Sequence, residues 1–145
     1  MVQQNYNTLI LHRNDFVDLI IYPGKYFGYD TKNGDTIFET YAQIFRKLYR
    51  YTPTRRSGPY QRRAFFKRVL EQARRRGLDV YIENKELYFP DILLEFYPEL
   101  VHDGHICASD PFWLEFLKVK YRDFFQEFPE VAGIITAPAT GESRV

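Results

Sequence analysis

The chain has little cysteine, almost no net charge and no leader-like or membrane-spanning apolar run. Among its 145 residues the single cysteine, Cys107, excludes an internal disulfide framework. Lys and Arg total 20 and Asp and Glu total 19, so the net charge of +1 gives no general basis for binding nucleic acid or an anionic membrane. No basic segment near Met1 is followed by a long apolar stretch. We therefore expect a cytoplasmic protein without a membrane partner.

Aromatic residues, in contrast, are abundant. They make up 18% of the chain, with 12 Tyr and 13 Phe. Most of them, Trp113 included, are expected to fill the core, but a Tyr can also stack on a sugar face while its hydroxyl stays hydrated. The length is that of one domain, residues 1–145, with a core of its own.

Apolar runs typical of buried strands alternate with amphipathic stretches typical of helices. The runs at residues 16–22, 78–82 and 131–137 predict three strands. Four helices are predicted. One begins at residue 36, and the other three cover residues 60–76, 89–96 and 110–128. This order of strands and helices predicts parallel strands joined by right-handed crossovers.

We therefore predict an α/β fold of alternating βα units with parallel strands. Three strands are too few to close a barrel, and no helix is predicted after the third. The fold is then either a small three-stranded α/β layer or a truncated (β/α)8 (TIM) barrel, and the absence of a final predicted helix favours the barrel, an incomplete catalytic domain. Such a fragment leaves an unpaired edge and an apolar face at its last strand. This predicts that Val131, Ile134 or Ile135 is unusually exposed, and that the chain self-associates through the sheet edge.

The carboxyl ends of parallel strands share one edge of the sheet, where barrel enzymes assemble their sites. A carboxyl group held there beside aromatic rings can keep its proton near neutral pH and donate it to a leaving oxygen. In another interpretation the same residues are ordinary solvated loop residues. The candidates are Tyr22, Lys25 and Tyr26 after the first predicted strand, Glu83, Asn84 and Glu86 after the second, and Thr140 and Glu142 after the third.

A resemblance to a known family extends over residues 107–142. The features that carry it are Asp110-Pro111 opening a long helix, Phe128-Pro129 closing it, Gly133 entering the next strand and a Glu in the loop beyond. In these features the chain resembles (β/α)8-barrel glycoside hydrolases of the alpha-glucuronidase type. It departs from the family at Thr140-Gly141, where the family prefers Asn-Ser before the acid.

The resemblance implies that Glu142 is the general acid of a carbohydrate-active hydrolase. It also implies that the family's base carboxylates lie on later strands, so we expect these 145 residues alone to be inactive. Glu83 comes from the neighbouring strand and could face Glu142 across the site. Glu83 and the other candidates are then expected to bind the carbohydrate substrate; the others are Tyr22, Lys25, Tyr26, Asn84, Glu86 and Thr140.

Two other groups of residues suggest different functions. Helix 60–76 and the loop before it carry many basic side chains. They suggest an alternative function, in which the chain is a non-catalytic interaction or nucleic-acid-binding module. These charges surround the helix ends and do not form one stripe, so we do not expect nucleic acid as a partner. The segment 102–107 contains ligand-type residues, but only His12 lies outside it to complete a zinc site. We expect neither a metal nor a cofactor.

Overall fold

The computed structural model describes residues 6–13, 15–27, 53–85, 87–90 and 93–137. Its centre is a three-stranded sheet of β1 (Thr8–His12), β2 (Asp79–Lys85) and β5 (Gly133–Ala137), in the order β1-β2-β5. Both strand pairs are parallel. The predicted α/β fold with a parallel sheet is confirmed at this level.

The helices of the described residues lie between these strands in the sequence. They are α1 (Phe16–Ile20), α2 (Gly24–Phe27), α3 (Pro53–Arg75), α4 (Leu93–Phe96) and α5 (Pro111–Glu127). A 3₁₀ turn at Pro98–Leu100 leads into a small antiparallel hairpin of β3 (Val101–His102) and β4 (His105–Ile106). The helix predicted to begin at residue 36 lies outside the described residues. Within them, no helix combines the length and the apolar character needed to cross a membrane.

Helix α5 has the boundaries that its sequence predicts. The Asp110 side chain accepts a hydrogen bond from the amide of Phe112 at 2.8 Å, and Pro111 occupies the first helical position. The Asp110 side chain pairs with one of the amides that a helix start leaves unpaired, and Pro111 has no amide hydrogen to pair. The helix ends where the amide of Phe128 donates to the carbonyl of Phe124.

The prediction of a strand over residues 16–22 is wrong, because the segment folds as helix α1. Val17, Ile20 and Ile21 follow helical spacing and are all buried, whereas the residues of a strand would alternate between two faces. A short apolar run does not by itself distinguish a buried strand from a buried helix. The first strand is instead β1, five residues long and earlier in the chain.

Two apolar clusters hold these elements together. The first lies between the sheet and the helices α1, α3 and α5, and it consists of Val17, Ile20, Ile21, Phe66, Leu70, Ala73, Val80, Ile82, Phe124, Phe128 and Val131. The second joins α2 and α4 to the first half of α5 and includes Trp113, which is buried as predicted. Aromatic rings fill both clusters, in agreement with the composition.

Within the described part of the chain, helices cover one face of the sheet, and the other face carries exposed side chains. Side chains alternate along a strand, so Leu9, Val80 and Ile82 point to the helices while their neighbours point away. We call the second set the open face; it includes Thr8, Ile10, His12, Asp79, Tyr81, Glu83, Lys85, Gly133 and Ile135, of which Lys85 is buried. Ile10 is 39% exposed and Ile135 41%. The predicted exposure is thus confirmed for Ile135, while Val131 is buried.

Candidate functional site

The carboxyl end of the open face carries a histidine paired with a glutamate. His12, the last residue of β1, is the register partner of Glu83 on β2. Its Nδ1 contacts the Oε2 of Glu83 directly. The side chain of His12 is 74% exposed and that of Glu83 is 25% exposed, so solvent and ligands reach the pair. The predicted site residue Glu83 therefore lies at the carboxyl edge with an unpredicted partner.

Tyr81 lies on the same face, two residues before Glu83, and is half-buried. Its register partner is Gly133. A Cβ atom at position 133 would lie 3.0 Å from the Cε1 atom of Tyr81, so glycine lets the ring lie against the neighbouring strand. The ring therefore packs against Gly133 of the neighbouring strand.

Asn84 lies on the opposite face of the sheet from Glu83 and is completely buried. Its Oδ1 accepts a hydrogen bond from the amide of Val17 at 3.1 Å, at the start of α1. Its Nδ2 donates to the carbonyl of Lys85 and to the hydroxyl of Tyr121. Asn84 therefore fixes α1 to the end of β2 and has no exposed surface for a substrate.

An ion pair is buried beside Asn84, beneath the carboxyl end of the sheet. The Nζ of Lys120 lies 3.0 Å from Asp18 Oδ1 and donates to the carbonyl of Tyr88 at 2.8 Å. Burial raises the pKa of Asp18 to about 6, although Lys120 and a hydrogen bond from Asn84 act in the opposite direction. Burial also lowers the pKa of Lys120. The pair joins α1 to α5 and is enclosed, so we assign it a structural role.

Tyr22, Lys25 and Tyr26 follow helix α1 and not a strand. Lys25 is exposed, and its Nζ lies 3.0 Å from Glu115 on α5, which raises the pKa of the lysine and lowers that of the glutamate. Tyr26 is buried in the second cluster, and its carbonyl accepts a hydrogen bond from the hydroxyl of Tyr97. The prediction that these three residues follow a strand is therefore wrong.

Three predicted site residues, Glu86, Thr140 and Glu142, lie outside the described residues. The strand that precedes the last two is described up to Ala137, the register partner of Lys85. The carboxyl end of β5 is thus at the same edge of the sheet as Glu83. The placement of Glu142 itself stays a prediction.

Much of the basic stretch has partners within the protein. Arg62 Nε donates to the carbonyl of Leu19 at 2.8 Å, and Arg63 Nε donates to the carbonyl of Ile20. These two guanidinium groups satisfy carbonyls at the end of α1, where cations are favourable. Ion pairs join Lys67 to Glu127 and both Arg74 and Arg75 to Glu71. Within the described residues there is also no group of three His, Cys, Asp or Glu side chains placed to hold a metal ion.

His12 and Tyr81 are the accessible site residues that sequence reasoning missed. The sequence does not indicate that His12 lies at a strand end, because the segment before it has apolar residues at positions 9–11 and does not alternate clearly enough to predict a strand. Tyr81 was assigned to a strand but not to a face. Comparison of the chain with protein-family models, with curated proteins and with solved structures finds no match.

Proposed function

We propose that this chain forms part of a (β/α)8-barrel glycoside hydrolase in which Glu142 is the general acid. The observation that carries the proposal is the parallel sheet, with the carboxyl ends of its strands at one edge and α1, α3 and α5 packed on one face. In a (β/α)8 barrel the helices form the outer layer and the other face of the strands lines the interior. The open face would then be the inner face of the barrel.

The composition of the open face supports this interpretation. It combines exposed apolar side chains, Ile10 and Ile135, with a half-buried tyrosine and a polar pair at the carboxyl end. Additional strands and their side chains would cover the apolar part, because barrel interiors are packed with side chains. In the absence of these strands, the exposed apolar surface also supports the expected self-association of the chain.

The position of Glu142 supports its role as the acid. It follows Ala137 by five residues, and five residues of extended chain span at most about 18 Å. The resemblance to alpha-glucuronidase-type enzymes implies that the general acid is a Glu in the loop after this strand, and Glu142 is in that position in the sequence. In this proposal Glu142 protonates the leaving oxygen, and Glu83 contacts the carbohydrate without donating the proton.

Glycoside hydrolysis needs a second carboxylate, as base or nucleophile, on the other side of the scissile bond. The resemblance assigns the base to strands other than β1, β2 and β5. We therefore propose that these 145 residues bind the substrate and supply the acid, while turnover needs the complete barrel.

The test compares two substrates in the natural full-length protein. Glu142→Gln removes the ionisable proton, so hydrolysis of an alkyl glycoside should fall on the order of a hundredfold or more. An aryl glycoside with an acidic leaving group needs little protonation and should be affected much less. Glu130→Gln, at an exposed turn before β5, is the matched control and should leave both rates unchanged. Equal losses on both substrates would contradict the role of Glu142 as the acid.

A further inference from the structure

We infer that His12 and Glu83 form a dyad that binds a sugar hydroxyl on the open face of the sheet. His12 Nε2 is the contacting atom, and Glu83 positions the imidazole ring. This inference rests on the proposed function and adds to it a substrate contact that the sequence did not predict.

The geometry of the pair determines which atom is offered to a ligand. Register pairing places the two residues side by side on neighbouring strands, and Nδ1 of His12 is engaged by the Glu83 carboxylate. The other ring nitrogen, Nε2, is on the far side of the imidazole, and the side chain is 74% exposed. A carboxylate on one ring nitrogen fixes the ring orientation and directs the other nitrogen outward.

A hydroxyl group is the ligand that suits Nε2 in either protonation state. A neutral imidazole with its proton on Nδ1 accepts a hydrogen bond at Nε2, and a protonated imidazole donates one there. A hydroxyl can take both roles. A metal ion would need more ligands, and among the described residues no group of three suitable side chains surrounds the dyad.

Tyr81 and Ile10 are register partners on the open face, one step closer to the amino ends of the strands than His12 and Glu83. The proposed barrel covers this part of the face with side chains, so a sugar reaches the dyad from the carboxyl ends of the strands.

The His12–Glu83 pair is expected to contribute little to the stability of the fold. An ion pair on an exposed surface contributes little to folding because water screens it and two side chains must be ordered. Removing His12 is therefore expected to leave the fold intact, which makes the variant usable in a binding experiment.

The experiment is a titration of the 145-residue chain with D-glucose, D-xylose and D-glucuronate at millimolar concentrations, followed by NMR. At least one sugar should shift the ring signals of His12. His12→Ala should weaken its binding about tenfold, the equivalent of one hydrogen bond. The matched control is His102→Ala, another exposed histidine at a strand end, and it should bind like the wild type.

The positioning role of Glu83 is tested by measuring the tautomer of the His12 ring. Glu83→Ala should shift the ring-nitrogen signals of His12 toward a mixture of tautomers and weaken sugar binding. Glu83→Gln keeps an acceptor oxygen for Nδ1–H and should restore part of both effects. A role in stability alone would leave the His12 tautomer unchanged between these two variants.

The outcomes separate this inference from the proposed function. If a sugar binds wild type and His12→Ala equally, the dyad is not the contact and the inference is overturned, while the proposed function stands. If none of the three sugars shifts any signal, the inference is also overturned, and the Glu142→Gln assay alone decides the proposed function.

Discussion

Replacing Lys120 by methionine should destabilise the protein strongly, because it leaves a buried carboxylate without its cation. The side chains of Lys120 and Asp18 are 0% and 4% exposed. Lys120 Nζ also lies within 6 Å of two ring centroids, those of Phe116 at 5.8 Å and Tyr121 at 5.1 Å. Methionine fills most of the lysine volume, so the change removes the charge and its hydrogen bonds with little loss of packing.

The expected loss at pH 8 is about 3–5 kcal/mol, the range found when one partner of a buried pair is removed. A domain of this size has a total stability of roughly 5–15 kcal/mol, so the variant should be folded but much weakened. Replacing both residues, in Asp18→Leu/Lys120→Met, should recover most of the loss because no buried charge is left unpaired.

The loss should shrink as the pH falls. Burial already raises the pKa of Asp18 from 3.8 to about 6, and removing Lys120 takes away the charge that holds it down. A carboxyl group whose pKa is raised in the folded state stabilises the fold when protonated and loses that contribution as the pH rises through the folded-state pKa. The deficit of Lys120→Met should therefore be larger at pH 8 than at pH 5.

Urea denaturation at both pH values measures this effect. Lys118→Met is the matched control, since Lys118 is exposed on the same helix, and it should change the stability by no more than about 0.5 kcal/mol. The reasoning would be refuted if the two lysine variants were equally stable, or if the deficit of Lys120→Met were the same at pH 5 and pH 8.

Two further substitutions test the packing around the sheet. Asn84→Ala should cost about 1–3 kcal/mol in urea denaturation, since it leaves buried hydrogen-bonding groups of α1 and β2 unpaired, whereas Asn7→Ala, at an exposed residue, should cost little. Gly133→Ala should cost up to about 1 kcal/mol, because the added methyl group meets the Tyr81 ring at 3.0 Å and this half-buried ring must move slightly. In a Tyr81→Leu background the same glycine substitution should cost less.

Each of these expectations has a clear contrary result. An Asn84→Ala variant as stable as the wild type would show that its hydrogen bonds do not hold α1. Equal effects of Gly133→Ala in the two backgrounds would show that the Tyr81 ring does not require a glycine beside it.

The sequence predicted those elements whose ends carry their own chemical signals. Asp110 followed by proline fixed the start of α5, and the prediction of a strand at residues 78–82 differs from β2 only at its ends. The last strand begins two residues later than predicted, at Gly133. The parallel arrangement followed from the alternation of these elements.

The first strand and the first helix could not be predicted in the same way. Residues 16–22 are apolar enough to suit a strand, and Lys120, the partner of the buried Asp18 in this segment, is over a hundred residues away. Helix α1 also depends on Asn84 from another element. Long-range partners of this kind leave no local pattern in the sequence.

The candidate site was predicted in part. Glu83 lies at the carboxyl edge, as the strand order indicates. Asn84, its neighbour, points to the opposite face because side chains alternate along a strand, and without a known register the sequence did not tell which face was open. His12 was missed together with the strand that carries it.

The central claim, that the open face becomes the interior of a barrel, is tested most directly by thiol labelling. In a Cys107→Ser background, a cysteine replaces either Ile135 on the open face or Leu114 on the exposed surface of α5. In the complete barrel protein that we propose, Ile135→Cys should be protected while Leu114→Cys reacts freely, since thiol reaction needs access. If Ile135→Cys reacts as fast as Leu114→Cys there, the open face is not a barrel interior and the account is contradicted.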